Sequence, residues 1–271
     1  MTLGSDFATR VVTGALMAAA AIVATYLGGH VFAAFWGLIA VIAAVEWQRL
    51  SRDGSHDARA AMAAAGAGGA IVAFVVGLPG LVVALALAAA IAAVAASARA
   101  ARLLMAVGPI YAGGPILGVL WLRAAPADGL LAVLVLFGLV WGSDVFAYLA
   151  GRLIGGPRLW PRISPKKTWA GLIGGVAGGV ACAALVVVVA GRAVTPSLLG
   201  VFVVLTLVSA AGDLFESSLK RRFDVKDSST IIPGHGGVMD RIDGFVAAVA
   251  AACLIAAVKG VDPAAVLAGG G

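Results

Sequence analysis

Nine long apolar runs, parted by short polar segments, constrain this chain more than any other feature of its sequence. A helix that crosses a bilayer needs about 20 mostly apolar residues. Runs of that kind fall at 11–28, 31–47, 60–78, 80–98, 101–122, 129–150, 169–190, 197–216 and 242–260. With 62% hydrophobic and only 12% charged residues, the chain has too little polar surface to cover a water-soluble fold of this size. The sequence therefore predicts an all-α fold: a polytopic transmembrane helical bundle of nine spans, forming a single integral membrane domain over 1–271. Its N-terminal part, 1–128, holds five spans, and 129–271 holds the rest together with two longer polar loops, 151–168 and 217–241. The first run follows Arg10 and imitates a signal peptide, but it lacks a cleavage site and precedes many similar runs, so it reads as a retained helix.

Lysine and arginine concentrate in cytoplasmic loops near span ends. Arg10, Arg49, Arg52, Arg59, Arg99, Arg102, Arg152, Arg158, Arg162, Lys166, Lys167, Lys220, Arg221, Arg222, Lys226 and Arg241 all fall on the side of the N-terminus, and only Arg123, Arg192 and Lys259 fall on the other. The split predicts a cytoplasmic N-terminus, with both long loops cytoplasmic as well. The net charge of +6 and the pI near 9.8 are then topogenic and suited to anionic membrane lipids, which argues against a nucleic-acid partner. Cys182 and Cys253 stand apart in apolar runs and read as small buried hydrophobes, without a disulfide or a metal. Gly171, Gly174, Gly175, Gly178 and Gly179 form a small-residue stripe in the seventh run that suits close packing, within the bundle or in a homodimer.

Carboxylates in or beside a bilayer are costly and point to function. Four stand out: Glu46, Asp144, Asp213 and Glu216. Glu46 has Arg49 or Arg102 as candidate structural partners, whereas Asp144 and Asp213 have no basic residue within a helical turn. Tyr148 shares a face with Asp144, and Asp213 shares one with Glu216. The densest polar stretch runs from Glu216 to Gly244. Lys220, Arg221 and Lys226 are donors for phosphate oxygens. Pro233, Gly234, Gly236 and Gly237 around His235 specify a tight turn whose amides can approach a phosphate. Asp240 and Asp243, three apart at the start of the last span, project from one face, and hard oxygen donors of this kind suit Mg²⁺. A second segment places Ser164, Lys166, Lys167 and Thr168, stiffened by proline, just before the seventh span, as a preset polyphosphate site. Neither a P-loop nor a dinucleotide glycine motif is present, and His30, His56 and His235 are too isolated for a zinc site.

The stretch Ser218–Asp243, reading S-L-K-R-x4-K-D-x-S-x2-I-P-G-H-G-G-V-M-D-R-I-D, resembles the signature of the phosphatidate cytidylyltransferases, or CDP-diglyceride synthetases. The resemblance extends to S-P-K-K-T-W at Ser164–Trp169, to W-G-S-D-V-F-A-Y at Trp141–Tyr148 and to G-D-L-F-E-S at Gly212–Ser217. The N-terminal half matches mainly in being hydrophobic. Ala170 stands where the family usually has Glu, and Gly244 where it often has Ser. The resemblance implies transfer of CMP from CTP to phosphatidate in phospholipid biosynthesis, giving CDP-diacylglycerol and pyrophosphate. In that reading Asp213 and Asp240, with Asp144 and Asp243 as partners, hold Mg²⁺ and a second cation if one exists. Lys220, Arg221 and Lys226 bind the triphosphate; Ser164, Lys166, Lys167, Thr168, Ser218, His235, Gly236, Gly237 and Arg241 complete the substrate site. His235 shapes the loop rather than acting as a base. A transporter of an anionic substrate is the alternative that the residues alone leave open. The compact, disulfide-free form points to a bacterial cytoplasmic (inner) membrane, with the active site facing the cytoplasm.

Overall fold

The structure, a computed structural model, describes residues 3–50, 56–78, 80–97 and 102–269. Arg52 and Arg99, counted above among the topogenic residues, lie outside the described residues, as does the side chain of Arg102. Ten helices follow in chain order: α1 (Leu3–Leu27), α2 (Gly29–Leu50), α3 (His56–Val75), α4 (Gly80–Ser97), α5 (Arg102–Ala124), α6 (Gly129–Leu153), α7 (Trp169–Val189), α8 (Pro196–Arg222), α9 (Met239–Lys259) and α10 (Pro263–Ala268). Between α6 and α7 lies a two-stranded antiparallel hairpin, β1 (Arg158–Trp160) and β2 (Ser164–Thr168), in which Arg158 faces Thr168 and Trp160 faces Ser164. Among the described residues, eight helices are long and apolar enough to cross a membrane, and the apolar stretch Ala86–Ser97 of α4 adds a shorter one. The chain is an integral membrane protein of helical architecture.

Several boundaries differ from the sequence reading. The polar loop expected at 217–241 is shorter, because α8 continues through Arg222 and α9 begins at Met239. The loop expected at 151–168 begins with the last turn of α6 and ends in the hairpin. The apolar run marks where the lipid ends, whereas a helix ends where its backbone hydrogen bonds do. Arg59, expected in the loop before the third span, lies instead within α3, which starts at His56 and carries it fully buried.

The chain forms two compact units, each with its own core. The first comprises Met1–Leu120 with Arg222–Ile242, the second Trp121–Arg221 with Asp243–Gly271. In the first, α2 packs on α3 and α3 on α4. Pro109 lies inside α5 and cannot donate to the carbonyl four residues back, that of Met105. The buried Gln48 of α2 donates its side-chain amide to that Met105 carbonyl at 2.9 Å, and Trp47 Nε1 donates to Leu104 O at 3.0 Å. A polar pair from a neighbouring helix thus offsets the break in the ladder, as lipid-embedded proline requires.

In the second unit α6 and α7 run tightly together, and α10 packs on α6. The glycine stripe of α7 is used here. A Cβ at Gly175 would lie 3.1 Å from Ser143 O, and one at Gly179 would lie 2.7 Å from Leu139 O, both on α6. Because the obstacle at Gly179 is backbone, Gly179→Ala forces the helices apart. It is expected to cost about 1–3 kcal/mol, seen as a lower thermal midpoint in detergent. Gly200→Ala, where no atom lies within 4 Å of the added carbon, should leave the midpoint unchanged or raise it.

Candidate active site

The second unit holds a cavity of about 550 Å³, within the range of small-molecule sites. Asp144 and Tyr148 of α6, Lys166, Lys167 and Thr168 of β2, Asp213 of α8 and Asp243 of α9 all line it. The hairpin brings the two lysines there. Pro165 is tolerated because a two-stranded ribbon consists only of edges. Thr168 ends β2 in an extended conformation and turns its hydroxyl to accept from Gly171 N at 3.0 Å, which caps α7. The same hydroxyl would lie 3.2 Å from a Cβ at Gly151 and 3.1 Å from one at Gly171, so a side chain at either end of this crossing would press on the cap.

Asp213 Oδ2 lies 2.5 Å from Lys167 Nζ, and Ser217, one turn on, donates to its other oxygen at 3.4 Å. The basic partner that Asp213 lacked along its own helix therefore comes from the hairpin. Asp243 Oδ1 accepts from Gly244 N at 2.7 Å. At Gly244 a Cβ would lie 2.6 Å from Ser209 Oγ, so Ser209, which also lines the cavity, fills the space where the related signature often carries a serine. Lys220 pairs with Glu216 at 2.6 Å, with side-chain exposures of 12% and 1%, and Arg221 Nε donates to Ile163 O in the hairpin at 3.4 Å. Ser218 donates to Phe215 O. Ser164, Ser218, Lys220 and Arg221 are not among the residues lining the cavity.

The first unit holds the remaining residues singled out by sequence. Gly236, at φ 86°, closes a tight turn in which the amides of His235 and Gly236 both donate to Ile232 O, at 3.0 and 3.2 Å. The Gly237 amide donates to Asp240 Oδ2 at 2.8 Å, and that oxygen also takes the Ser228 amide at 3.0 Å. These four amides, the Ile232 carbonyl and the Asp240 carboxylate thus organise the loop. His235 Nδ1 lies 2.7 Å from Thr13 Oγ1 of α1. Partial burial, with the Arg241 and Arg10 charges nearby, holds its imidazole below the ordinary value against the raising effect of the Pro233 carbonyl, so the ring is neutral at neutral pH. Lys226 and Arg241 are exposed.

Three residues of consequence were missed. Ser143, Arg152 and Ser209 line the cavity, and Arg152 donates to Tyr148 Oη at 2.7 Å. Spacing offered a signal for two of them: Ser209 precedes Asp213 by one turn, and Arg152 follows Tyr148 by one. Of the two partners expected for Glu46, the side chain of Arg102 lies outside the described residues. Arg49 pairs instead with Asp57 at 3.3 Å, and Glu46 engages the 228–239 loop.

Spanning helices around a cavity lined by carboxylates and lysines define an integral membrane protein with a charged internal site. The sequence matches the cytidylyltransferase family over residues 8–258, nearly the whole chain, and the protein belongs to that family. Proteins named phosphatidate cytidylyltransferase resemble it over a shorter stretch. One from Brucella abortus biovar 1 (strain 9-941) is 46% identical over 157 residues, covering 56% of this chain and 57% of the Brucella protein. One from Staphylococcus haemolyticus (strain JCSC1435) is 43% identical over 135 residues, 48% of this chain and 50% of its own. One from Rickettsia bellii (strain RML369-C) is 36% identical over 151 residues, 53% and 65%. The matched stretches thus span between half and two thirds of these relatives.

Proposed function

We propose that the protein transfers CMP from CTP to phosphatidate, forming CDP-diacylglycerol and pyrophosphate, at the cytoplasmic face of a bacterial inner membrane. The observation that carries this reading is the cavity in which Asp144, Asp213 and Asp243 meet Lys166 and Lys167, in a chain of the cytidylyltransferase family. A lipid phosphate and a nucleoside triphosphate are both anions, so a site that joins them must neutralise charge and hold nucleophile and leaving group in line. Lys166 and Lys167 supply positive charge on one wall. The phosphatidate oxygen forms the new bond to the α-phosphorus while the bond from that phosphorus to the bridging oxygen breaks, and the electron pair leaves on pyrophosphate. The acceptor phosphate is already ionised at neutral pH, so no side chain has to serve as a strong base.

The donor chemistry of the cavity fits Mg²⁺. Among the described residues no three His, Cys, Asp or Glu side chains form a group that would enclose an ion, but Mg²⁺ takes one or two carboxylates and fills its other positions with water and substrate phosphates. Asp213 and Asp243 would hold it, with Asp144 beside them in the cavity. When bound, the ion supplies charge stabilisation at the phosphoryl oxygens. Lys167 keeps Asp213 in place meanwhile through their ion pair.

Detergent-purified protein, incubated with labelled CTP, phosphatidate and Mg²⁺, is expected to yield labelled CDP-diacylglycerol and pyrophosphate. Both products should vanish when phosphatidate is omitted or EDTA is added. Folded protein that forms neither product would overturn the reading, and product formation that survives EDTA would overturn the metal assignment.

A further inference from the structure

Glu46 lies on α2, in the half of the chain where no motif is legible, and is 1% exposed. Among the described residues its carboxylate accepts four hydrogen bonds. Ser228 Oγ donates at 3.0 Å and Ser229 Oγ at 2.6 Å; the amides of Val238 and Met239 donate at 3.0 and 2.7 Å. Two donors stand at one end of the 228–239 loop and two at the other. The first amides of a helix have no partner within it. At the start of α9 the Gly237 amide goes to Asp240 and the next two go to Glu46.

Capping alone does not account for this residue. A carboxylate on a spanning helix is costly, and Asp240, reaching back to Gly237, is already the local half of a capping box. What Glu46 adds is a second closure of the loop, made from another helix, beside the Asp240 carboxylate that takes the amides of Ser228 and Gly237. It ties the two ends together, so that Lys226, two residues before the first anchor, is held in a set relation to Asp240 and Arg241, just after the second. The fit is close: a Cβ at Gly237 would run into Ser228 Oγ first and would lie 2.7 Å from Glu46 Oε1, so the serine–glutamate pair itself occupies the space a side chain there would need. A glutamine at position 46 would keep the volume but present an NH₂ to a ring of donors.

We infer that Glu46 is a positioning residue for the signature segment, binding both ends of the 228–239 loop and so fixing Lys226 against Asp240 and Arg241. The effect on turnover rests on the transferase reading above; the effect on the loop does not. The test is Glu46→Gln in the full-length chain in detergent, followed by native-state trypsin cleavage after Lys226 and by kcat and KM for CTP. Cleavage there should quicken about tenfold or more, as the loss of a hydrogen bond to a charged group implies. The value of kcat should fall about 10²-fold, the size of effect that misplacement remote from the reacting atoms can produce, and Glu46→Asp should recover part of both. The double variant Ser228→Ala/Ser229→Ala removes two of the four donors and leaves the cap of α9 intact. It should move both readouts in the same direction by less, and it decides the matter if Glu46→Gln does not fold. Trypsin resistance like that of the wild type, with kcat within about twofold, overturns the inference. So does equal acceleration at Lys226 and at Arg162 in the hairpin, which would make Glu46 a general stabiliser. A wild-type protein that forms no product would sink the transferase reading instead, and cleavage at Lys226 would still decide the role of Glu46.

Discussion

Asp213→Asn is expected to abolish measurable CDP-diacylglycerol formation while leaving the protein folded. The substitution keeps the side-chain volume and removes one negative charge from a cavity that also holds Asp144, Asp243, Lys166 and Lys167. Turnover should fall by about 10²–10³-fold or more, the scale on which a preorganised electrostatic group acts. Lys167 would at the same time lose the carboxylate it meets at 2.5 Å, and with it the contact that holds the hairpin lysine in place. Folding should survive, because the two side chains are 26% and 38% exposed and such partly exposed pairs contribute only about 0–1 kcal/mol. The measurement is the initial rate at saturating CTP and phosphatidate, with the size-exclusion profile as the folding control. A rate within a few-fold of wild type would remove Asp213 from the site. Asp240→Asn is a less clean comparison, since Asp240 also holds the amides of Ser228 and Gly237 and its loss disturbs the loop.

Lys220→Met should instead strike stability. Lys220 and Glu216 form an ion pair one helical turn apart on α8, at 2.6 Å, and the glutamate side chain is almost wholly buried. Removing the lysine takes a neutralising charge from a buried carboxylate and costs about 3–5 kcal/mol, equivalent to a thermal midpoint lower by roughly 10 °C in a chain of this length. Adding Glu216→Leu removes the buried carboxylate as well and should recover most of the loss, because an apolar pair of similar volume is often neutral or better. A midpoint unchanged in Lys220→Met, together with a raised KM for CTP, would show that the lysine serves the triphosphate, as its place in the signature suggests, rather than the core.

The spanning helices were legible because lipid imposes a coarse rule: about 20 apolar residues satisfy both the bilayer and the backbone. All nine expected runs became helices. The hairpin was not legible, since Pro165, Lys166 and Lys167 carry no strand alternation and the pairing of Arg158 with Thr168 depends on contacts across a turn. The short helix α10 was missed for a related reason. Its six residues carry too little periodicity to see, and what defines it is a cap, with the Asp262 carboxylate accepting from Ala264 N at 2.7 Å.

The same division holds within the site. Sequence by itself determined the membrane architecture and the chemical inventory, namely which carboxylates and cations lie beside the bilayer, because both follow from residue type and local spacing. Only the tertiary structure decided how these groups are used. Lys167 belongs to Asp213, Lys220 to Glu216, and Glu46 to a loop nearly two hundred residues away. A carboxylate accepts whichever donors the fold brings within about 3 Å, and that choice is made by packing between segments remote in sequence.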